Sequence, residues 1–275
     1  MNILDAIEKA YNLGISLSSQ DVSLSKEEVL AIVLKGTPFE KKLAKATTAT
    51  TSSSVQFENT EQLGQTLEYA ICLMCGIKYD GKFNYSEEDA RNMIPHLLPF
   101  KHHFQHHIHT GKTSKEFDFT NRHTGNGISV KSNRSTYKVC PQVVGQPTEK
   151  RFKELFCYPE EVTIQDIKSD ILENPVRFLE SYWHNTFHCP ILFYDQKGSN
   201  VSWIETLDTP EWNVEEITFT RTLEEWNESN TIKVNGVSIG EFQIHNHRKC
   251  AKFRWNFKTV LNIMSGYFKV MKVKF

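Results

Sequence analysis

The sequence predicts a mixed α/β protein in which a central mixed β-sheet is flanked by helices. Three observations lead to this fold class. Apolar residues recur at helical spacing in the first third of the chain, short alternating segments rich in Phe, Ile and Val follow, and turn signals separate them. Apolar residues make up 39% of the 275 residues, enough for a substantial core.

The first elements should be helices. Residues 1–56 predict a helical segment followed by a mobile, polar loop rich in Ser and Thr. The next helix should begin at Asn59 or Thr60, which are good N-caps, and end near Gly76. Another helix should cover residues 86–98.

The segment EFDFTNRHTGNGISVKSN, residues 116–133, predicts a β-hairpin because two alternating segments flank a polar turn. A helix should follow Pro147 and another should cover residues 175–188. Buried strands should cover residues 190–195 and 201–206. We divide the chain into an N-terminal segment (1–56), a core (57–205) and a C-terminal region (206–275), which together form one compact domain.

The C-terminal region predicts further strands, two of them joined by an Asn-Gly turn, and then a helix. No run of apolar residues is long enough for a transmembrane helix, and the first residues lack the pattern of a signal peptide. Six scattered cysteines without a secretory signal favour a cytoplasmic protein with reduced thiols.

The charges are unevenly distributed although their sum is only −1. No acid lies between Phe119 and Thr148, and none follows Glu241, whereas residues 205–228 are rich in acids. This pattern favours a protein with one basic face and an acidic remainder. Ordinary clustering of surface charges is the alternative.

Asp118 and Lys131 lie on the two strands of the predicted hairpin, so their side chains can converge, and Glu68 can approach from a helix packed on the same sheet. Two carboxylates are suited to hold Mg²⁺. A lysine beside them can orient water and stabilise charge on a phosphate. The alternative is a structural ion pair between Asp118 and Lys131.

The stretch FDFTNRHTGNGISVKSN resembles the core motif of the PD-(D/E)XK nuclease superfamily, and particularly that of Type II restriction endonucleases. Asp118 matches the motif's aspartate and Lys131 its lysine. Phe117 stands where the motif has proline, and Ser129 stands where it has an acid, which leaves one metal ligand missing. The segment GQTLEYAIC resembles the first core helix of such enzymes, so Glu68 becomes the candidate replacement, with Glu116 in reserve.

The resemblance implies a restriction-endonuclease-like core with N-terminal helices and a C-terminal β-rich region that contacts DNA. It implies Mg²⁺-dependent, sequence-specific hydrolysis of phosphodiester bonds in double-stranded DNA by a homodimer, in a cell with a cognate DNA methyltransferase. The implied catalytic residues are Asp118, Lys131, Glu68 and Ser129, and the implied metal ligands are Asp118, Glu68 and Glu116.

Polar residues in and after the hairpin and in the segment GEFQIHNHRKCAKFRW are candidates for DNA contact, because Gln pairs with adenine edges and Arg with guanine or phosphate. Solvated polar edges are the alternative for each. The candidates are Asn133, Arg134, Gln142, Gln146, Gln243, His245, Asn246, Arg248 and Arg254.

Two histidine-containing motifs are better explained by packing or exposure to solvent than by metal binding. Five histidines within residues 102–109 predict a polar loop more than a zinc site, and the histidines of WHNTFHC predict packing. The alternative function is a non-catalytic or repair-type nucleic-acid-binding protein with the same fold, for which Ser129 would be a sign of lost activity.

Overall fold

A computed structural model of the chain describes residues 57, 59–111, 116–142, 144–244 and 250–275. The predicted N-terminal segment at residues 1–56 lies outside the described residues, as do three candidate DNA contacts: His245, Asn246 and Arg248. The described part contains two β-sheets and several helices, which confirms the mixed α/β class.

Six α-helices and three short 3₁₀-helices lie in the described residues. The α-helices are α1 (Thr60–Cys75), α2 (Glu87–Leu97), α3 (Glu149–Leu155), α4 (Ile164–Glu173), α5 (Pro175–Phe187) and α6 (Phe257–Ile263). The 3₁₀-helices cover Leu98–Phe104, Val214–Glu216 and Ser265–Tyr267.

The described strands form a six-stranded sheet and a five-stranded sheet. The first has the order β1 (His107–His109), β2 (Phe119–Asn121), β3 (Gly127–Asn133), β5 (Ile191–Asp195), β6 (Asn200–Thr206) and β11 (Phe268–Lys274). The second has the order β4 (Lys138–Val139), β10 (Ala251–Asn256), β9 (Val237–Ile244), β8 (Ser229–Val234) and β7 (Ile217–Phe219). Strands β3 and β5 run parallel, and the other neighbouring pairs in these sheets run antiparallel.

Helix α1 follows its sequence signals closely. The side chain of Asn59 accepts a hydrogen bond from the backbone N–H of Gln62 (2.8 Å), which satisfies one of the free donors at the helix start. Gly76 ends the helix in the left-handed conformation, with φ of 65°. Leu63 and Leu67, one turn apart, are fully buried, so this face of the helix packs on the first sheet.

The hairpin β2–β3 is confirmed, with Phe119 opposite Ile128. Asn121 closes its turn, because its side chain accepts hydrogen bonds from two backbone N–H groups that follow it. Gly127 is required for a different reason: a Cβ at this position would lie 1.9 Å from the ring of Phe117. The aromatic residue that replaces the motif's proline therefore fits only because a glycine faces it.

The first sheet lies between two apolar clusters, and alternate residues of its strands point to opposite faces. Val130 and Leu192 face the cluster that contains α1 and α2. Ile191 and Phe193 face the cluster that contains α5 and the second sheet. Since Lys131 alternates with Val130, its side chain starts from the face directed towards α5 and the second sheet.

Several elements differ from the sequence-based expectation. Part of the predicted polar loop at residues 102–109 is strand β1, whose His109 is buried. Helix α4 and strand β11 were not predicted. The Asn-Gly turn is confirmed: Asn235 and Gly236 both have positive φ and join β8 to β9. In the part of the chain that the structure describes, no helix has the length and apolar character needed to span a membrane.

Candidate active site

Asp118 directly precedes β2 and is fixed by the strands on both sides. Its backbone N–H donates to the carbonyl oxygen of Ile128 (3.1 Å), and its carbonyl oxygen accepts from the N–H of Thr110 (2.9 Å). The residue therefore sits within the ladder between β1 and β3, although it lies just outside the strand in which the sequence placed it. Its position depends on the sheet and not on a loop.

The carboxylate of Asp118 is held through one oxygen. Oδ2 accepts hydrogen bonds from the backbone N–H of Val130 (2.6 Å), the hydroxyl of Ser129 (3.2 Å) and the amide Nε2 of Gln142 (3.2 Å). Among the described residues, none donates a hydrogen bond to Oδ1. Three donors on one oxygen fix the orientation of the group and leave the other oxygen able to bind a ligand.

Lys131 lies close to this carboxylate but does not form a tight pair with it. Its Nζ is 3.9 Å from Oδ2 of Asp118, longer than the 2.7–2.9 Å typical of charge-assisted hydrogen bonds. The two side chains are 13% and 16% exposed, so both are partly buried. Burial raises the pKa of the neighbouring Cys189 to about 12 although the Lys131 charge opposes this, so the thiol stays protonated.

Ser129 is fully buried, and its backbone N–H donates to the carbonyl oxygen of Pro190 (2.9 Å). An acid at position 129 would place a second negative charge directly beside Asp118 in a buried environment, which raises carboxylate pKa values. Serine instead donates a hydrogen bond to the carboxylate. The site therefore has the motif's aspartate and lysine together, with a neutral donor where the acid would be.

Glu68 is paired with a histidine that the sequence reading assigned to a polar loop. Its Oε2 lies 2.9 Å from Nε2 of His109. The backbone N–H of Asp80 donates to Nδ1 of the same ring (2.9 Å), so Nε2 carries the proton and donates to Glu68. His109 directly precedes Thr110, which pairs with Asp118. Because successive strand residues face opposite sides of the sheet, Glu68 and His109 lie on the α1 side, whereas Lys131 starts from the side of α5.

Glu116 approaches a different histidine. Its Oε1 is 3.8 Å from Nε2 of His188, at the C-terminal end of α5, and its side chain is 61% exposed. Burial lowers the pKa of His188, which favours the neutral ring. Because Nδ1 lies 2.9 Å from the carbonyl oxygen of His184, Nδ1 carries the proton and Nε2 faces Glu116.

The site meets the requirements of Mg²⁺ only in part. Mg²⁺ commonly keeps several water ligands and binds one or two carboxylates together with substrate phosphates. Oδ1 of Asp118 supplies one such oxygen. Within the described residues there is no group of three or more His, Cys, Asp or Glu that could hold a metal ion. Oδ1 of Asp118 is suited to a hydrated Mg²⁺ that a phosphate also binds.

The six candidate DNA contacts that the structure describes fall into two groups. Three are engaged inside the protein: Asn133 bonds to Asp195 (2.9 Å), Gln142 bonds to Asp118, and Arg254 bonds to Glu241 (Nε to Oε1, 3.0 Å). The others are more accessible: Arg134 and Gln146 are exposed, and Gln243 on β9 is partly exposed.

His109 and His188 are neighbours of the candidate acids that the sequence does not indicate. Their motifs, HHFQHHIH and WHNTFHC, predict a polar loop and a packing role. The hydrogen bond of His109 to Glu68 and the approach of His188 to Glu116 join residues far apart in the sequence, so no local spacing could indicate them.

Comparison with known proteins supports a relationship to restriction enzymes. Over 213 residues the chain is 32% identical to the Type II restriction enzyme CviAII of Paramecium bursaria Chlorella virus 1. The match covers 77% of this chain and 62% of the length of that enzyme. No protein-family model and no solved structure matches the chain. The chain is therefore similar to a Type II restriction enzyme over most of its own length, and it spans less than two thirds of the length of that enzyme.

Proposed function

We propose that the protein is a Type II restriction endonuclease that hydrolyses phosphodiester bonds at specific sites in double-stranded DNA, with Mg²⁺ as its cofactor. The supporting observation is the convergence of Asp118 and Lys131 on neighbouring strands, with one carboxylate oxygen left open. The proposal includes a core of the PD-(D/E)XK type, on the strength of the motif. It also draws on the similarity to a Type II restriction enzyme.

In this mechanism Asp118 would bind Mg²⁺ and thereby orient the phosphate. Its Oδ2 is occupied by three donors, so Oδ1 is the atom that would hold Mg²⁺, together with Glu68 or Glu116. When bound, Mg²⁺ supplies positive charge at the phosphate and lowers the pKa of water. The rigid attachment of Asp118 between β1 and β3 keeps the phosphate in a fixed position relative to Lys131.

Lys131 supplies a positive charge and hydrogen-bond donors beside the reacting phosphate. Its Nζ is close enough to Asp118 for charge compensation, yet at 3.9 Å it is not committed to that carboxylate. It can therefore donate to the attacking water or to a phosphate oxygen as negative charge develops there. Partial burial strengthens this interaction because the surrounding dielectric is lower than in water.

The remaining parts of the proposal concern the assembly and its cell. Exposed Arg134 and Gln146 are available for contact with DNA. A palindromic site would be cut by a homodimer, one strand per subunit. We propose a cytoplasmic enzyme whose host DNA is protected by a cognate methyltransferase.

Incubation of the purified chain with phage DNA in Mg²⁺ tests the proposal. A restriction enzyme gives discrete bands, a nonspecific nuclease gives a smear, and a non-catalytic binder leaves the DNA intact but retards it in a gel. Asp118→Asn should abolish cutting and retain DNA binding. Glu211→Gln, at an exposed acid in the acid-rich segment, is the matched control and should cut normally. Cutting by Asp118→Asn at the wild-type rate would remove the assigned site.

A further inference from the structure

The later part of the loop between β4 and α3 is attached to strand β10 of the second sheet. The backbone N–H of Phe253 donates to the carbonyl oxygen of Gly145 (2.9 Å), and that of Ala251 donates to the carbonyl oxygen of Pro147 (3.2 Å). Gly145 is packed tightly, because a Cβ there would lie 2.3 Å from the carbonyl oxygen of Pro141. The loop therefore follows β10 and has little freedom to move independently of it.

Gln142 reaches from this loop into the candidate active site. Its backbone N–H donates to the carbonyl oxygen of Asn185 (3.1 Å), which fixes the residue against α5. Its Nε2 lies 3.2 Å from Oδ2 of Asp118 and 3.0 Å from Oγ of Ser129. A carboxylate only accepts, so the amide nitrogen and not the amide oxygen must face Asp118.

The hydrogen bonds among these three side chains form a closed ring. The two amide hydrogens of Gln142 serve Asp118 and Ser129, and the hydroxyl hydrogen of Ser129 serves Asp118. Each donor that faces the carboxylate has a partner, and such satisfied networks in partly buried sites fix side-chain orientation. An acid at position 129 could not complete this ring because it has no hydrogen to donate when ionised.

We infer that Gln142 is a positioning residue of this active site. Together with Ser129 it holds Oδ2 of Asp118 and directs Oδ1 towards the phosphate, and so stabilises a site that lacks the acid of the motif. The inference rests on the proposed nuclease function. It also gives Gln142 a different role from the contact with adenine that its residue type suggests, since its amide nitrogen is already engaged.

Gln142→Met tests the inference because it preserves the length of the side chain and removes both donors. Partners that orient metal-binding groups are typically worth about 10–100-fold in metal affinity or activity. We expect kcat to fall by about this factor and Mn²⁺ binding, followed by titration with electron paramagnetic resonance, to weaken similarly. KM for DNA and DNA affinity without divalent ions should not change. Gln165→Met, at an exposed glutamine of α4 to which no role is assigned, should match the wild type in all four measurements.

Combination with Ser129→Ala shows whether the two donors act as a unit. Because they share Asp118 and each other, the double variant should lose less activity than the product of the single losses. Urea unfolding shows whether each variant is folded under assay conditions.

Two outcomes would overturn the inference: wild-type kcat and Mn²⁺ affinity in Gln142→Met, or an altered recognition sequence with unchanged kcat. If the wild type itself fails to cut any DNA, the proposed function fails instead. The Mn²⁺ titration still reports in that case whether Gln142 positions the carboxylate.

Discussion

Two of the places in the described residues where a carboxylate meets a cation are built in opposite ways. In the second sheet, Glu241 lies between Lys138 on β4 and Arg254 on β10. Lys138 contacts Oε2, and Arg254 contacts Oε1 through Nε (3.0 Å) and Nη2. Both oxygens are occupied, and Glu241 is 9% exposed.

Asp118 in the first sheet shows the contrast. Neutral donors hold one of its oxygens, its cation stands 3.9 Å away, and among the described residues no donor reaches the second oxygen. A pair this long contributes little stability. Glu241, Lys138 and Arg254 form a closed cluster, in which both carboxylate oxygens are occupied, and such a cluster stabilises the fold. A carboxylate with one open oxygen and a loosely held cation, as at Asp118, is suited to bind a third partner. The comparison therefore argues against a purely structural ion pair between Asp118 and Lys131.

The largest expected effect is a difference in cleavage rate between substitutions of Lys131 and Lys138. Lys131→Met should lower the cleavage rate by about 10²–10³-fold, because loss of one preorganised donor beside developing charge has this magnitude. Lys138→Met should leave the cleavage rate of the folded enzyme nearly unchanged and lower the free energy of unfolding. Single-turnover cleavage and urea denaturation of both variants measure the difference. Equal effects of the two substitutions on cleavage would abolish the distinction between the clusters.

Removal of the Glu241 carboxylate should lower the free energy of unfolding more than removal of the Asp118 charge. Glu241→Ala leaves Lys138 and Arg254 as partly buried cations without their shared partner, and breaking such a pair costs about 3 kcal/mol. Asp118→Asn should cost much less, because a side-chain oxygen remains to accept from Val130. Urea denaturation at pH 7 compares the two variants. A greater loss of unfolding free energy in Asp118→Asn than in Glu241→Ala would contradict this prediction, because it would show that Asp118 stabilises the fold more than Glu241 does.

A smaller effect distinguishes the acids that would join Asp118 at the metal. Glu68→Gln should raise the Mg²⁺ concentration for half-maximal cutting by about 10–100-fold if Glu68 supports the metal. Glu116→Gln should have less effect, since this side chain is 61% exposed. Cleavage rates measured over a range of Mg²⁺ concentrations compare the two variants. A larger increase in the required Mg²⁺ concentration for Glu116→Gln would assign the metal-supporting role to Glu116.

The smallest effect concerns the acid sensitivity of the closed cluster. Burial alone would raise the pKa of Glu241, but the hydrogen bonds and charges of Lys138 and Arg254 outweigh it and lower the pKa from 4.5. A lowered pKa in the folded state contributes stability that is present above pH 4.5 and lost as the pH falls through the lowered value. Glu241→Gln should therefore show a weaker loss of unfolding free energy below pH 4.5 than the wild type. An unchanged pH profile would show that other groups dominate acid unfolding.

Local signals predicted much of the fold. Asn59 and Gly76 mark the ends of α1, and Asn235 with Gly236 marks a hairpin turn, because caps and turns depend on residues close in the chain. Strand β1 was missed because its sequence, His-Ile-His, has no apolar pattern of its own. It is a strand because it pairs with β2, which is a long-range effect.

The candidate site was predictable to the extent that it is local. Asp118 and Lys131 are joined by a short hairpin, so their convergence followed from the alternation of strands. The contact between Gln142 and Asp118 could not be predicted, because the loop of Gln142 is positioned by β10 and α5. Arg254 pairs with Glu241 because the register of β9 and β10 places them opposite each other, and register depends on the whole sheet.

The parallel pairing of β3 with β5 has a consequence for synthesis of the protein on the ribosome. Ser129 and Gln142 depend on Pro190 and Asn185, which emerge about sixty residues after Lys131. At roughly 5–20 residues per second, the growing chain carries its reactive lysine for several seconds before the groups that orient the site exist. Long-range parallel pairing is also slow to form. Under the proposed function, the site would therefore be complete only after the segment from β3 to β5 has been synthesised and β5 has paired with β3.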